Sequence, residues 1–305
     1  MSAKKTIGAW LNAARLRTLP LSVSGVLIGT ALAQLYDKSN SLLFVLALLT
    51  TIGFQVTSNF ANDYGDGVKG TDNDDRIGPA RALQSGLLSR KALKRGIVIS
   101  VVIDALLVIA LIWVAFGPRN LFFSVLFLVL GAASIWASLK YTIGDSAYGY
   151  RGLGDVFVFI FFGLVAVLGT MFLYTKFLTP MAFLPAAAIG LLSVGVLNLN
   201  NLRDFASDKI ANKNTLVVYL GFANGKIYHY TLLVTAFLCI ALFSYLSFEG
   251  WNRFLPLIAF VPIFWHLKTI YLTDRPELID PELKKLALSS FFLAVLMYVI
   301  CNNFL

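Results

Sequence analysis

Residues 59–86 read NFANDYGDGVKGTDNDDRIGPARALQSG, and they follow directly on an apolar run long enough to cross a bilayer. The stretch holds five of the chain's sixteen acids: Asp63, Asp66, Asp72, Asp74 and Asp75. If the helix of the apolar run continues into it, Asn59, Asn62, Asp63 and Asp66 stand at i, i+3, i+4 and i+7 and share one face. Several oxygen donors on one face at a membrane surface are what a hard divalent cation such as Mg2+ takes. A solvated Asp-rich linker has the same composition, and this stretch alone does not separate the two.

Working outward, the composition is that of an integral membrane protein. The chain is 58% hydrophobic and 13% charged, against about 25% charged in a soluble domain. Nine apolar segments, near 19–36, 41–62, 95–116, 120–139, 155–174, 181–201, 229–247, 254–272 and 286–303, are each close to bilayer length. Of the 25 Lys and Arg residues, 21 fall in the N-terminal arm and the loops after even-numbered spans. That bias predicts a cytoplasmic N-terminus and cytoplasmic large loops in a multi-pass membrane protein. It also accounts for the net charge of +9 without nucleic acid, since no basic cluster is interleaved with aromatics. The first apolar run begins near Leu19 and continues as a full span, so no cleavable signal peptide is expected. Cys239 and Cys301 lie inside apolar runs and read as packing residues.

Residues 1–18 read as an amphipathic segment on the cytoplasmic face, with Trp10, Arg15 and Arg17 serving as interfacial anchors. Gly25 and Gly29 form a small-xxx-small pair suited to close helix contact. Asp104, inside the third span, is expected to make an interhelical hydrogen bond. The loop between spans four and five carries Lys140, Tyr141, Asp145, Tyr148, Tyr150, Arg151 and Asp155 among glycines, and Tyr141 and Asp155 open toward the acidic side. His229 and His266 have no partner at ligand spacing and read as interface residues.

The sixth span ends in a second cluster, NLNNLRDFASD, where Asn201, Asp204 and Asp208 stand at i, i+3 and i+7. Spans two and six therefore each end in Asn and spaced Asp followed by cations, an internal repeat of architecture. Matching clusters at equivalent positions favour a shared metal and phosphate site over two solvated loops. Lys69, Arg81, Arg203 and Lys213 supply cations for the phosphate oxygens. A charged headgroup site at a membrane boundary with apolar helix faces below it fits a diphosphate with a long apolar tail. Metal and cations would stabilise a departing diphosphate. Aromatic faces would stabilise the allylic cation left behind, and a dry chamber would protect it.

On these residues the chain resembles the UbiA superfamily of intramembrane aromatic prenyltransferases. The resemblance is carried by Asn62-Asp63-x-x-Asp66 and Asp204-x-x-x-Asp208 within nine spans. The first loop is similar to the subgroup that prenylates 1,4-dihydroxy-2-naphthoate in menaquinone biosynthesis. That closer likeness rests on Asn62 to Asp72, Asp75 to Pro79, Arg81 to Gly86, Arg203, Lys213-x-Thr215-Leu216, Tyr141-Thr142-x-Gly144 and Gly152-Leu153-Gly154. Gly70 stands where many superfamily members place a third Asp, leaving Asp72 to replace it, and Asp145-Ser146 stands where the subgroup usually has a proline.

The resemblance implies an all-α bundle of nine transmembrane helices with a central lipid-accessible cavity and two four-helix pseudo-repeats. It would form one domain over residues 1–305, with site loops at 63–95 and 202–228. It implies Mg2+ held by Asn62, Asp63, Asp66, Asp72, Asn201, Asp204 and Asp208, with diphosphate on Lys69, Arg81, Arg203 and Lys213. Asp66, Asp204, Tyr141 and Asp155 would face the reaction, which joins a polyprenyl diphosphate to 1,4-dihydroxy-2-naphthoate with loss of CO2. Other acceptors (4-hydroxybenzoate, homogentisate, haem) remain open on the residues alone. A secondary transporter would place its ligand nearer the midplane. A CDP-alcohol phosphatidyltransferase would need Ala-Arg soon after Gly67, where Val68-Lys69-Gly70 stands.

Overall fold

The computed structural model describes residues 3–71, 77–78 and 81–302, and for residues 3–6 the backbone alone. The described residues form helices and connecting loops, with one isolated backbone bridge between Arg151 and Asn214. Among them, nine helices are long and apolar enough to cross a membrane, from Ile7–Gln34 to Pro276–Cys301. The expected all-α membrane bundle is what folds.

Helix α1 (Ala3–Ala14) turns through a short 3-10 segment into α2 (Leu19–Gln34), followed by α3 (Ser41–Lys69), α4 (Arg90–Phe116) and α5 (Leu121–Lys140). The next span joins α6 (Gly154–Val158), a π-wound stretch (Phe159–Gly169) and α7 (Thr170–Thr175). Then come α8 (Phe183–Arg203), the short α9 (Phe205–Ile210) and α10 (Leu216–Leu220), and finally α11 (Phe222–Ser247), α12 (Val261–Leu272) and α13 (Asp280–Cys301).

The length of α3 decides where its acids sit. Asn40 caps it by accepting from the Leu43 N–H at 2.9 Å, and Gly70 ends it at φ 72°. Its 29 residues span about 43 Å at 1.5 Å per residue, against a hydrocarbon core of about 30 Å. The surplus turns carry Asn62, Asp63 and Asp66 past the apolar zone. Helix α4 shows the opposite logic: Val98, Ile99, Val102, Leu106, Ile109 and Trp113 are each more than half exposed, the stripe expected to face lipid.

Helix α8 packs against α11, α13 and the π-wound stretch, and α2 packs against α13. Their buried side chains form the largest core, around Ile28, Ile189, Leu192, Leu233 and Leu293. Gly29 lets α2 approach closely: a Cβ there would lie 2.5 Å from the Val167 carbonyl oxygen and 2.6 Å from Thr170 Cβ. A Cβ at Gly25 would lie 2.6 Å from Ala166 Cβ, so the small-residue pair marks the contact it predicted.

Two buried polar devices fasten helices outside the acidic region. Asp104, fully buried, accepts from Thr57 Oγ1 at 2.6 Å and so ties α4 to α3. His229 and His266, taken from sequence as separate interface residues, face each other with Nε2 atoms 2.8 Å apart. His266 Nδ1 lies 2.7 Å from Glu282 Oε2, and Lys285 pairs with the other oxygen of that carboxylate. This chain joins α11, α12 and the first turn of α13. It escaped the sequence because its members are far apart along the chain.

Candidate functional site

A cavity of about 780 Å3 runs down the bundle, and its walls come from α1 to α8 and from α13. Along α3 its lining extends from Asp66 to Ala47, a drop of about 28 Å at 1.5 Å per residue. The lower walls are apolar, with Leu111, Phe127, Val165, Ala166 and Leu173. The upper end is polar. Asn62, Asp63, Asp66, Arg81, Tyr141, Arg203 and Lys213, all singled out from sequence, reach the same cavity.

Each acid at that end has a donor or a cation beside it, and Asp66 is held from two segments. Asp63 Oδ2 accepts the Ala82 backbone N–H at 3.2 Å. Asp66 Oδ1 accepts the Tyr150 hydroxyl at 2.8 Å, and its Oδ2 is paired with Arg81 Nη2 at 3.4 Å. Asp204 receives a two-pronged contact from Arg203, Nε at 2.8 Å and Nη2 at 2.7 Å. Lys213 Nζ lies 3.4 Å from Asp208 Oδ1.

Tyr150 joins the two clusters. Besides its bond to Asp66, its ring lies under Lys69 Nζ at 3.9 Å and 5.7 Å from Lys213 Nζ. Thr71 Oγ1 stands 2.6 Å from the same hydroxyl. The backbone bridge between Arg151 and Asn214 pins this loop to the segment that carries Lys213. The two acidic helix ends therefore meet, and a loop tyrosine separates them. Sequence reading passed over Tyr150 as one of several loop tyrosines. The signal was its place in a Gly-punctuated turn, YGYRGLG.

The electrostatics follow from this packing. Burial pushes the Asp208 carboxyl up to about 6; Lys213 opposes that rise, while Asp204 and Asp66 add to it. Burial alone would lower the Lys213 ammonium, but Asp66, Asp208, Tyr150 and Asp204 outweigh it and hold the group above its ordinary value. Burial raises the Tyr150 and Tyr141 hydroxyls, so both stay protonated as donors.

Several expected residues stand elsewhere. Asp204 and Asp208 are buried behind Arg203 and Lys213 rather than on the cavity wall. Lys69 and Asp155 are also off that wall, and Asp155 is buried. Asn201 is buried, while its neighbour Asn200 lines the cavity. Asp72 lies outside the described residues. Asn59 donates to the Ala14 carbonyl at 2.8 Å and so fastens the N-terminal segment.

That segment does more than anchor. Its Trp10 packs edge-on against Phe60, and Arg15 and Arg17 line the cavity mouth. The last helix adds Asp280 and Lys284 to the same wall. Below the mouth, Tyr148 stacks on Phe157 at 3.9 Å and Phe161 continues the series, all three on the lining.

The donor set suits Mg2+. Oxygens of Asp63, Asp66, Asp204 and Asp208 gather at one end, and Asp208 Oδ2 is buried with no hydrogen-bond partner. Among the described residues no three acidic, His or Cys side chains form a ready metal cage, since Arg81, Arg203 and Lys213 sit among the carboxylates. Mg2+ commonly takes one or two carboxylates, waters and substrate phosphates instead of a closed protein cage.

If Tyr150 aims Asp66, Tyr150→Phe lowers kcat/KM about tenfold, the scale of one hydrogen bond to a charged group, while the ring keeps its cation contacts. Steady-state assay with a melting curve checks this. Unchanged turnover would remove Tyr150 from the site.

Membrane-spanning helices around a greasy cavity, with acids and cations together at its mouth, define an intramembrane protein built for a ligand with a charged head and an apolar tail. Residues 22–296 match the UbiA prenyltransferase family, and the chain belongs to that family. It is 41% identical over 302 residues to 1,4-dihydroxy-2-naphthoate octaprenyltransferase of Haemophilus influenzae, covering 97% of each chain. It is 46% identical over 246 residues to the protein of that name from Escherichia coli (strain K12), covering 80% of this chain and 79% of the relative. Its fold resembles a solved UbiA homolog from Archaeoglobus fulgidus bound to GPP and Mg2+, with a TM-score of 0.67 at 15% identity, over 96% of this chain and 99% of that one.

Proposed function

We propose that this protein transfers a polyprenyl chain from polyprenyl diphosphate to 1,4-dihydroxy-2-naphthoate, with loss of CO2, in an Mg2+-dependent reaction. The observation that carries the reading is the meeting of two acidic helix ends over one apolar cavity. The names and coverage of the bacterial relatives support the acceptor.

The chain's own residues take the following parts. The cavity holds the isoprenoid tail along α3 and excludes water. Lys213 and Arg81 supply positive charge to the diphosphate, with Lys69 behind Tyr150. Asp63, Asp66, Asp204 and Asp208, with Asn62, are the oxygen donors for the metal. Mg2+ bound by them would supply positive charge to offset that on a departing diphosphate. Tyr141, Tyr148 and Phe157 present aromatic faces beneath the headgroup, where an allylic cation would form. Arg15 and Arg17 are suited to an aromatic carboxylate arriving at the mouth. The ring carbon bearing that carboxylate forms the new C–C bond, and the C–CO2 bond electrons restore the aromatic ring. The bias of Lys and Arg supports a mouth on the cytoplasmic side of the inner membrane.

The test is product mass from purified protein given polyprenyl diphosphate and a panel of aromatic acids, with Mg2+ or with EDTA. The expected result is a prenylated, decarboxylated naphthalenediol that EDTA abolishes. Product from 4-hydroxybenzoate or homogentisate alone would overturn the acceptor. Uptake into liposomes without any product would favour transport.

A further inference from the structure

The last transmembrane helix reaches the acidic cluster through a side chain that belongs to neither motif. Arg203 is only 2% exposed. Its Nε and Nη2 grip Asp204, and Nη2 also donates to Asn200 Oδ1. Its remaining nitrogen, Nη1, donates to Asp280 Oδ1 at 2.6 Å. A guanidinium has five N–H groups, so four of them are committed inside the protein. Such a side chain has little left for a phosphate and is well placed to hold a carboxylate still.

The grip on Asp204 is unusual because the two residues are adjacent. Neighbours on a continuous helix point to different sides. The contact closes here because α8 ends at Arg203 and Asp204 leaves helical geometry at φ −91° and ψ 11°. A contact between adjacent residues can swing as a unit. The anchor from a different helix removes that freedom, and Asp280 is that anchor.

Asp280 is itself held in place. It lies in the first turn of α13, and two residues on is Glu282, 3% exposed. Glu282 is fixed by His266 of α12, behind which stands His229 of α11, and by Lys285. The first turn of α13 is thus fastened to two helices that contribute nothing to the cavity wall.

We propose that Asp280 is a positioning residue of the site: it fixes Arg203, and through it the Asp204 carboxylate, in the orientation that receives the metal and diphosphate. This rests on the reading of Asp204 as a metal ligand given above. The competing role is local, an acid favouring the N-terminus of its own helix.

Mn2+ titration of the purified, micelle-embedded protein without substrate, followed by EPR, separates the two roles. Asp280→Asn is expected to weaken Mn2+ binding about tenfold, as loss of an outer-shell partner does. Its melting temperature should change little, and in the assay kcat should fall with KM for the aromatic acid unchanged. In an Arg203→Lys background the same change should cost less than about twofold, because the shared path is already broken. Asp280→Ser, which also suits a helix start, replaces the Asn variant if that one does not fold. Asp204→Asn is the control. Wild-type Mn2+ affinity in Asp280→Asn with binding lost in Asp204→Asn overturns this inference and leaves the metal reading intact. Wild-type affinity in both overturns the two together. A lowered melting temperature with unchanged Mn2+ affinity assigns Asp280 to its helix end alone.

Discussion

Asp66→Asn lowers kcat/KM for prenyl transfer by about a thousandfold or more at saturating Mg2+, the scale of removing one preorganised electrostatic contact from a closed site. Asp66 merits this expectation because of what converges on it. It comes from the projecting turn of α3, takes a hydrogen bond from Tyr150 and pairs with Arg81. It also acts electrostatically on Lys213 and Asp208, from the other motif. The Asn variant keeps an acceptor for the Tyr150 hydroxyl, so local structure is spared while the charge is lost. Asp208→Asn should behave alike, since its buried Oδ2 has no protein partner to lose. Turnover within about tenfold of wild type in a folded Asp66→Asn protein would end the metal assignment at this position.

Gly65→Val is expected to cost about a hundredfold in kcat/KM although it touches no substrate. A Cβ at position 65 would lie 2.5 Å from Thr142 Oγ1, 2.7 Å from its Cβ and 2.8 Å from its carbonyl carbon. Thr142 is buried and donates to the Ala61 carbonyl at 2.9 Å, so it has little room to yield. The loop must lift, and it carries Tyr141 and Tyr150 with it. A displacement near 1 Å at a catalytic group costs about a hundredfold. Gly67→Ala is the comparison, because the nearest atoms its Cβ would meet belong to the flexible Leu83 side chain. It should lose far less. Equal activity in the Gly65 and Gly67 variants would show that this contact does not set the site.

The acidic motifs were legible because each is local. Helical spacing placed Asn62, Asp63 and Asp66 on one face, and the structure keeps them at the cavity. Asp204 and Asp208 were legible as acids but not in their setting, which depends on where α8 breaks and on how Lys213 folds back. Arg15 and Arg17 read as surface anchors because an amphipathic helix at a bilayer edge and one capping a cavity have the same pattern. Asn200 rather than Asn201 lines the cavity, a one-residue difference that rotates a side chain by roughly 100° about the helix.

Composition and period alone determined a membrane-embedded chain, its nine spans, the bias of its cations and the two acidic helix ends. Those properties depend on burial in lipid and on neighbours within two helical turns, both of which are written in consecutive residues. Tertiary structure decided which distant groups touch: Tyr150 between the two motifs, Arg203 committed to Asp204 and Asp280, and His229 set against His266. Such contacts arise from the packing of helix faces across the bundle. Periodicity specifies which face is apolar but not which face of another helix it will meet.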